Sequence, residues 1–244
     1  MTPMKFITLV AFLAFLISNT TDLLAQADAD SVLALNAREQ SIVTISAFTA
    51  QGDLEQLQVA LNNGLDAGLT INETKEVLVH LYAYCGFPRS INGLNTLITV
   101  VEDRKVKGLQ DEVGKEAMPQ EEGEDKYEKG KQVLEDLTGQ PQDGPKQGYA
   151  AFSPIIEVFL KEHLFADIFG RDLLSYTDRE IATIAALVSM GGVEPMAQGH
   201  MGIALNIGIT ENQLEQLLSL IEEHVGQAEA EAGRQVLSQV ISSK

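Results

Sequence analysis

The chain has 244 residues, 45% of them hydrophobic, which is enough for two small packed units or one medium domain. It contains 17 Lys and Arg against 35 Asp and Glu, a formal net charge of −18 that would repel nucleic acid and anionic membrane surfaces. Cys85 is the single cysteine, so an internal disulfide and any redox mechanism that needs two thiols in one chain are excluded.

The first 27 residues have the pattern of an export signal. A lysine precedes a short apolar run at residues 6–17, and small residues at 23–27 suit cleavage. The run is shorter than the roughly 20 apolar residues that a membrane-spanning helix needs. The alternative is an uncleaved amphipathic N-terminal segment. We predict a signal peptide over residues 1–27 and an exported, periplasmic protein whose mature form begins near Gln26 or Asp28 and has no membrane segment.

Beyond this signal, apolar residues recur at helical spacing. One predicted face comprises Ile181, Ile184, Ala185 and Val188, at positions i, i+3, i+4 and i+7. Four candidate helix starts place Asn or Thr three residues before Glu or Gln, which is the capping-box pattern. These pairs are Asn36/Glu39, Thr70/Glu73, Thr177/Glu180 and Thr210/Gln213. Period-two alternation is scarce, so the predicted fold class is all-α.

The candidate helices occur in two similar copies. Arg38 lies 32 residues before Thr70 in the first copy, and Arg179 lies 31 residues before Thr210 in the second. Where the second copy has His200, the first has an aliphatic residue. A duplicated scaffold that keeps a titratable side chain in one copy suggests a specialised site in that copy.

The domain boundaries follow from the copies and from the composition between them. Residues 106–148 are rich in Gly, Pro, Gln and charged residues, which is typical of a solvent-exposed connector. A short amphipathic helix near residues 132–137 interrupts this segment. We predict a signal peptide over 1–27, a first repeat over 28–105, a linker over 106–148 and a second repeat over 149–244.

Two groups of motifs identify a family resemblance. The first comprises Gly-Leu-Thr at residues 68–70 and Tyr-x-Gly-Phe-Pro at 84–88. The second comprises Arg-Glu at 179–180, His200, and Ala-Leu-x-x-Gly-x-Thr at 204–210. Together these motifs resemble the carboxymuconolactone decarboxylase family. The resemblance implies two tandem, all-α, alkylhydroperoxidase D-like repeats that assemble into trimers or hexamers. It implies two chemistries, decarboxylation of a carboxylated muconolactone and, in the alkylhydroperoxidase D branch, peroxide reduction by a cysteine pair.

The cysteine pair of the peroxidase branch is missing. In that branch the two cysteines lie seven and four residues before the histidine, positions that here hold Val193 and Met196. Neither side chain can attack a peroxide or resolve the product. Glu180 and His200 keep the expected separation, and Cys85 is alone in the other copy. The resemblance therefore favours the decarboxylase branch over a peroxiredoxin-like antioxidant.

A decarboxylase of this kind needs a proton donor, stabilisation of the developing oxyanion and a largely apolar pocket. We predict His200 as the donor, because an imidazole gains and loses protons near neutral pH, and Glu180 as the group that orients it. The predicted substrate-binding residues are Arg179 for a carboxylate, Met196 for apolar lining, and His80 and Tyr84, one helical turn apart. Further apolar lining is expected from Met201, Ile184 and Leu187.

Each candidate also has a structural interpretation. Glu180 occupies the reach-back position of a predicted capping box, as Glu39 does in the copy without the histidine. His200 is compatible with an ordinary helix histidine. A buried helix face would explain His80 and Tyr84, and a salt bridge would explain Arg179.

No cofactor or metal is predicted. His200 has no second histidine three or four residues away, and no glycine-rich phosphate loop follows a strand. The predicted function is a cofactor-free lyase or isomerase, acting on a small carboxylated lactone or a similar enolisable acid. Its predicted partners are this small-molecule substrate and further copies of itself in a trimer- or hexamer-like assembly, without nucleic acid. The alternatives are a redox enzyme of the peroxidase branch and a non-catalytic exported helical module.

Overall fold

A computed structural model describes residues 34–119, 123 and 125–243, so the predicted signal peptide lies outside the described residues. The described residues form ten α-helices and one π-helix without any strand, which confirms the all-α class. The helices are α1 (Ala37–Gln51), α2 (Leu54–Asp66), α3 (Ile71–Val106), α4 (Lys126–Thr138), α5 (Gly148–Phe152), α6 (Pro154–Phe159), the π-helix (Leu160–Phe169), α7 (Tyr176–Met190), α8 (Glu194–Asn206), α9 (Glu211–His224) and α10 (Gln227–Ser242). No helix among the described residues is both long enough and apolar enough to cross a membrane.

The tandem repeat is confirmed by matching helix lengths. Helices α1 and α7 each have 15 residues, and α2 and α8 each have 13. Helix α3 bends sharply at Gly86, where φ is 82°, so its two halves match the separate helices α9 and α10. Gly68 and Gly208 both adopt positive φ in equivalent turns before α3 and α9. Glycine suits these turns because it enters the left-handed region without a steric penalty.

Three of the four predicted capping boxes are confirmed and one is wrong. The confirmed pairs are Asn36/Glu39, Thr70/Glu73 and Thr210/Gln213. At α7, the Ser175 hydroxyl accepts from the Asp178 backbone N–H, and the Asp178 carboxylate accepts from the Ser175 N–H at 3.1 Å. The helix therefore begins two residues earlier than predicted. Thr177 lies in its first turn, and Glu180 lies beyond the cap.

The main core lies where the two copies meet. Helix α1 packs against α2, α3 and α7, and α7 also packs against α8 and α10. Ile42 and Ile45 of α1 and Ile181 and Ile184 of α7 are at most 1% exposed. The apolar face predicted for residues 181–188 is confirmed, since its spacing places these side chains on one side of α7.

The segment between the copies contains more packed structure than its composition predicts. The helix expected near residues 132–137 extends over Lys126–Thr138, and it packs against the π-helix. Val133 and Leu137 join Phe165 and Phe169 in a second apolar cluster. This cluster holds α4 against the second copy, so that α4 forms one side of the candidate site.

Candidate active site

A cavity of about 630 Å³ opens between α8, the π-helix and the chain segment 141–150. This volume lies within the range of small-molecule sites. Met196 and His200 reach it from α8. Its apolar lining includes Leu134, Ile156, Leu160, Leu164 and Phe165, and its polar lining includes Gln142, Lys146, Gln147, Glu157 and Lys161. His200 is therefore part of the wall of a largely apolar cavity of substrate size.

His200 is held by a buried carboxylate. Its Nδ1 lies 2.8 Å from Oε2 of Glu180, whose side chain is 0% exposed, whereas the His200 side chain is 14% exposed. An ionised carboxylate can only accept a hydrogen bond, so Nδ1 carries the hydrogen of this pair. Among residues 34–119 and 125–243, Nε2 has no hydrogen-bond partner. The neutral ring thus leaves Nε2 as a base, and the protonated ring makes Nε2 a donor.

The local sequence explains how α7 and α8 bring this pair together. Helix α7 ends at Met190, and the two glycines that follow, Gly191 and Gly192, adopt positive φ, 66° and 73°. Pro195 lies in the first turn of α8, where its missing N–H removes no helical bond. The resulting short connection folds the two helices against each other, and Glu180 and His200 meet across their contact.

Tyr84 completes the immediate surroundings of the imidazole. Its ring meets the His200 ring edge to face, with 5.3 Å between centroids and 80° between planes. Burial raises the pKa of Tyr84, and the charge of Glu180 raises it further, so the phenol stays protonated. Within the described residues, Oε1 of Glu180 is buried without a hydrogen-bond partner, and the Tyr84 hydroxyl is buried with the Thr183 side chain nearby. An unsatisfied buried carboxylate oxygen is uncommon in folded proteins.

A polar network lies behind the cavity wall. Arg179 is 0% exposed and donates from Nη2 to Glu76 at 2.8 Å and to the Arg171 carbonyl at 3.0 Å. Its Nη1 donates to Nδ1 of His80 at 3.3 Å, so Nε2 of His80 carries the hydrogen donated to Thr183 at 2.8 Å. Burial lowers the pKa of His80 far below its ordinary value, and the charge of Arg179 lowers it further. His80 is therefore neutral, and it supports the site from the interior.

The predicted site residues thus divide into two groups. His200 contacts both Glu180 and Tyr84, and Met196 lines the same cavity as His200. His80 and Arg179 are fully buried and are absent from the cavity wall, although the His80 ring contacts Tyr84 with 5.3 Å between centroids. The apolar lining expected from three further residues is wrong, because these side chains belong to the core. They are Met201, Ile184 and Leu187, at most 4% exposed.

A model of the carboxymuconolactone decarboxylase family matches residues 20–97 and 158–239. The chain belongs to this family. The second match contains Glu180 and His200, and the first contains Tyr84. No curated protein is significantly similar to the chain. Residues 98–157, which carry part of the cavity wall, lie outside both matches.

The two family repeats differ at both members of the His–Glu pair. Because Asn36 and Ser175 are equivalent caps, Glu180 corresponds to Ser41 in α1. The Ser41 hydroxyl donates to a carbonyl of its own helix, which is an ordinary scaffold interaction. The structural interpretation of Glu180 as a capping residue is therefore wrong. Its carboxylate is kept in the copy that also keeps His200.

The two cysteines that the peroxidase branch uses for thiol chemistry are missing from this chain. Val193 is the residue before α8, and Met196 is 52% exposed at the cavity. The Cys85 thiol donates to the Leu81 carbonyl at 3.1 Å, and burial raises its pKa to about 11. A thiol with so high a pKa is a poor nucleophile at neutral pH. Within the described part of the chain, no group of three or more His, Cys, Asp or Glu side chains could hold a metal ion.

Sequence reasoning missed the cavity wall formed by residues 141–161. Lys146, Glu157 and Lys161 line the cavity, yet the first lies in a segment whose Gly and Pro content is typical of a connector. The apolar residues between positions 154 and 160 have helical spacing, but no local feature shows which surface such a helix faces. The available signal was the pair of charged residues Glu157 and Lys161, one helical turn apart in and directly after that apolar stretch.

Proposed function

We propose that this protein is a cofactor-free lyase or isomerase that acts on a small carboxylated lactone or a similar enolisable acid. The supporting observation is the 2.8 Å hydrogen bond from His200 to the buried carboxylate of Glu180, at the wall of a largely apolar cavity. It leaves Nε2 of His200 as the proton-transferring atom. Membership of the carboxymuconolactone decarboxylase family supports the same class of reaction.

In the lyase reaction, the bond between a ring carbon and the carboxylate carbon breaks and CO₂ leaves. The bonding electron pair delocalises into the lactone carbonyl as an enolate. Protonated His200 then delivers its Nε2 proton to carbon, and solvent restores that proton. In the isomerase reaction, neutral His200 removes a proton from the carbon next to the carbonyl and returns it at a second carbon. General acid–base catalysis of this kind contributes on the order of 10²- to 10⁴-fold in rate.

The neighbours of His200 suit both reactions. Glu180 stabilises the imidazolium through a charge-assisted bond, which is stronger than a bond between neutral groups. The edge-to-face contact with Tyr84 restrains the plane of the ring. Met196 and the apolar lining lower the local dielectric constant, and this lower dielectric strengthens the electrostatic interactions of the site.

Turnover by the His200→Ala variant tests the proposal. Wild-type protein should release CO₂ from 4-carboxymuconolactone, or exchange deuterium from D₂O into muconolactone, and His200→Ala should lower either rate at least about 100-fold. His163→Ala is the matched control, because His163 is 53% exposed and absent from the cavity wall. Equal rates in wild type and His200→Ala, or no reaction by wild type with either lactone, would contradict the proposal.

We also propose that the protein self-associates. The second half of α3 exposes Phe87, Ile91 and Ile98 at 62%, 50% and 55%. Large apolar side chains grouped on one helix commonly lie in interfaces. Light scattering of wild-type protein should give the mass of a trimer or larger assembly, and Ile91→Lys should reduce it.

Export is the remaining proposal, and it follows from the sequence of residues 1–27. N-terminal sequencing of protein recovered from the periplasm should give a start near Gln26 or Asp28. Recovery of full-length chain from the cytoplasm would contradict it.

A further inference from the structure

Lys161 places a buried ammonium group at the cavity wall. Its side chain is 5% exposed, and its Nζ donates to Oε1 of Glu157 at 2.9 Å and to the Tyr127 hydroxyl at 3.1 Å. Nζ also lies 4.7 Å from the centre of the Tyr127 ring. Lysine is rarely buried so fully, because loss of hydration is costly unless a partner compensates it. Among the described residues these bonds use two of its three N–H groups.

The charges on this wall do not cancel. Glu157 is shared by Lys161 and Lys146, whose Nζ contacts Oε2 of Glu157. The hydrogen bond from Lys146 lowers the pKa of Glu157 to about 2, with Lys161 as the second cause, so the carboxylate stays ionised. The nearby Asp143 pairs with Lys131. Two ammonium groups and one carboxylate leave one net positive charge on a protein whose formal net charge is −18.

The fold fixes Lys161 in place. A Cβ atom at Gly130 of α4 would lie 1.7 Å from the Lys161 carbonyl oxygen, so α4 and the π-helix approach each other more closely than any side chain at residue 130 permits. Tyr127, on the same face of α4, covers the ammonium group. The position of Lys161 therefore depends on direct backbone packing between two helices.

We infer that Lys161 and Lys146 bind the carboxylate group of a small anionic substrate in the cavity that His200 also lines. These are the cationic residues among the cavity-lining residues that the structure describes. Arg179, the cation predicted for this role, is fully buried and bonded to Glu76. The identity of the substrate as a lactone acid rests on the proposed function of His200. The binding of a carboxylate by the two lysines does not depend on that function.

Binding of muconolactone and of its uncharged methyl ester, measured by titration calorimetry, tests the inference. Wild type should bind the acid at least about tenfold more tightly than the ester, because one charge-assisted hydrogen bond contributes roughly that factor or more. Lys161→Met and Lys146→Met should each weaken acid binding about tenfold or more and leave ester binding unchanged. Lys126→Met is the control, since Lys126 pairs with Asp167 outside the cavity wall.

Lys161→Arg keeps the positive charge and should keep the preference for the acid over the ester. Comparison with Lys161→Met therefore distinguishes an effect of lost charge from an effect of altered packing. If Lys161→Met does not fold, Lys146→Met still decides, because the Lys146 side chain is 41% exposed. Equal binding of acid and ester by wild type, no binding of the acid, or unchanged acid binding in both methionine variants would overturn the inference.

The inference and the proposed function fail separately. His200→Gln should bind the acid as wild type does while losing turnover. A wild type without turnover that still shows lysine-dependent acid binding would contradict only the proposed function. Turnover that depends on His200 but not on Lys146 or Lys161 would contradict only the inference.

Discussion

His200 and Glu180 share one hydrogen bond of 2.8 Å, yet only the histidine reaches the cavity. The carboxylate is fully buried and has one oxygen without a partner among the described residues. A buried carboxylate is costly, so its presence here is best explained by what it does to the imidazole. It fixes which nitrogen carries the hydrogen and supports a positive charge on the ring.

Glu180→Gln separates these two effects. The glutamine amide oxygen can still accept from Nδ1 of His200, but it no longer supports the imidazolium charge. We expect kcat to fall on the order of tenfold, the difference between a charged and a neutral hydrogen bond. Ser41→Ala, at the equivalent position of the first repeat, should leave kcat unchanged. An unaltered kcat in Glu180→Gln, measured with the lactone substrate, would show that the carboxylate serves only folding.

Local features of the sequence predicted most of the helices correctly. Capping boxes and helical faces depend on residues within a few positions of one another, and the repeat is visible as two similar stretches of sequence. The predicted start of α7 is wrong because the observed capping box, Ser175 with Asp178, overlaps the predicted pair Thr177 and Glu180 but has Ser and Asp, which the Asn/Thr to Glu/Gln pattern does not include. Tertiary contacts determine which pair caps the helix, because Glu180 is buried against His200 and Asp178 pairs with Arg38 at 2.6 Å.

Two alanine variants check this start of α7. Ser175→Ala should lower the free energy of unfolding by about 1 kcal/mol, the usual value of a lost N-cap. Thr177→Ala should change it by less than about 0.5 kcal/mol, because Thr177 lies in the first turn and caps nothing. Urea unfolding followed by circular dichroism measures both. A larger loss for Thr177→Ala than for Ser175→Ala would restore the start predicted from sequence.

The wall of the cavity could not be predicted from the sequence because it depends on contacts between distant residues. Segment 141–150 has no apolar period, and it is tied to α4 by the bond from the Gln142 N–H to Glu135 and by the Lys131–Asp143 pair. Helix α4 itself packs against the π-helix. That packing depends in turn on Gly130, whose missing side chain admits the Lys161 carbonyl. Such contacts join residues about 30 positions apart, and a single sequence contains no local sign of them.

His80 should make stability depend on pH. Its pKa is lowered in the folded protein, so below its ordinary value of roughly 6.5 the unfolded chain binds a proton that the folded chain does not. Its contribution to stability is therefore full above roughly pH 7.5 and falls by up to about 1.4 kcal/mol per pH unit below roughly pH 6.5. Carboxylates with lowered pKa lose their contribution only below their ordinary value of 4.5, as Glu73 does, so measurements should stop at pH 5.

Urea unfolding between pH 5 and pH 7.5 measures this slope. His80→Gln keeps an acceptor for Arg179 and a donor for Thr183 but cannot titrate, so the slope should become shallower whatever the total stability. His163→Gln is the control, because that imidazole is 53% exposed. An equal slope in His80→Gln and wild type would mean that His80 becomes protonated within the folded protein.

Cys85 should be inert as a nucleophile. Its pKa of about 11 leaves roughly one thiol in a thousand ionised at pH 8, and the thiolate is the form that attacks peroxides and alkylating agents. Alkylation by iodoacetamide, followed by mass spectrometry, should be slow at pH 8 and should accelerate as the pH rises towards 11. Any reduction of hydrogen peroxide by wild type should be matched by Cys85→Ser, with small-molecule thiols as the positive control. Peroxide reduction that disappears in Cys85→Ser would instead assign a thiol mechanism to the first repeat, separate from the His200 cavity.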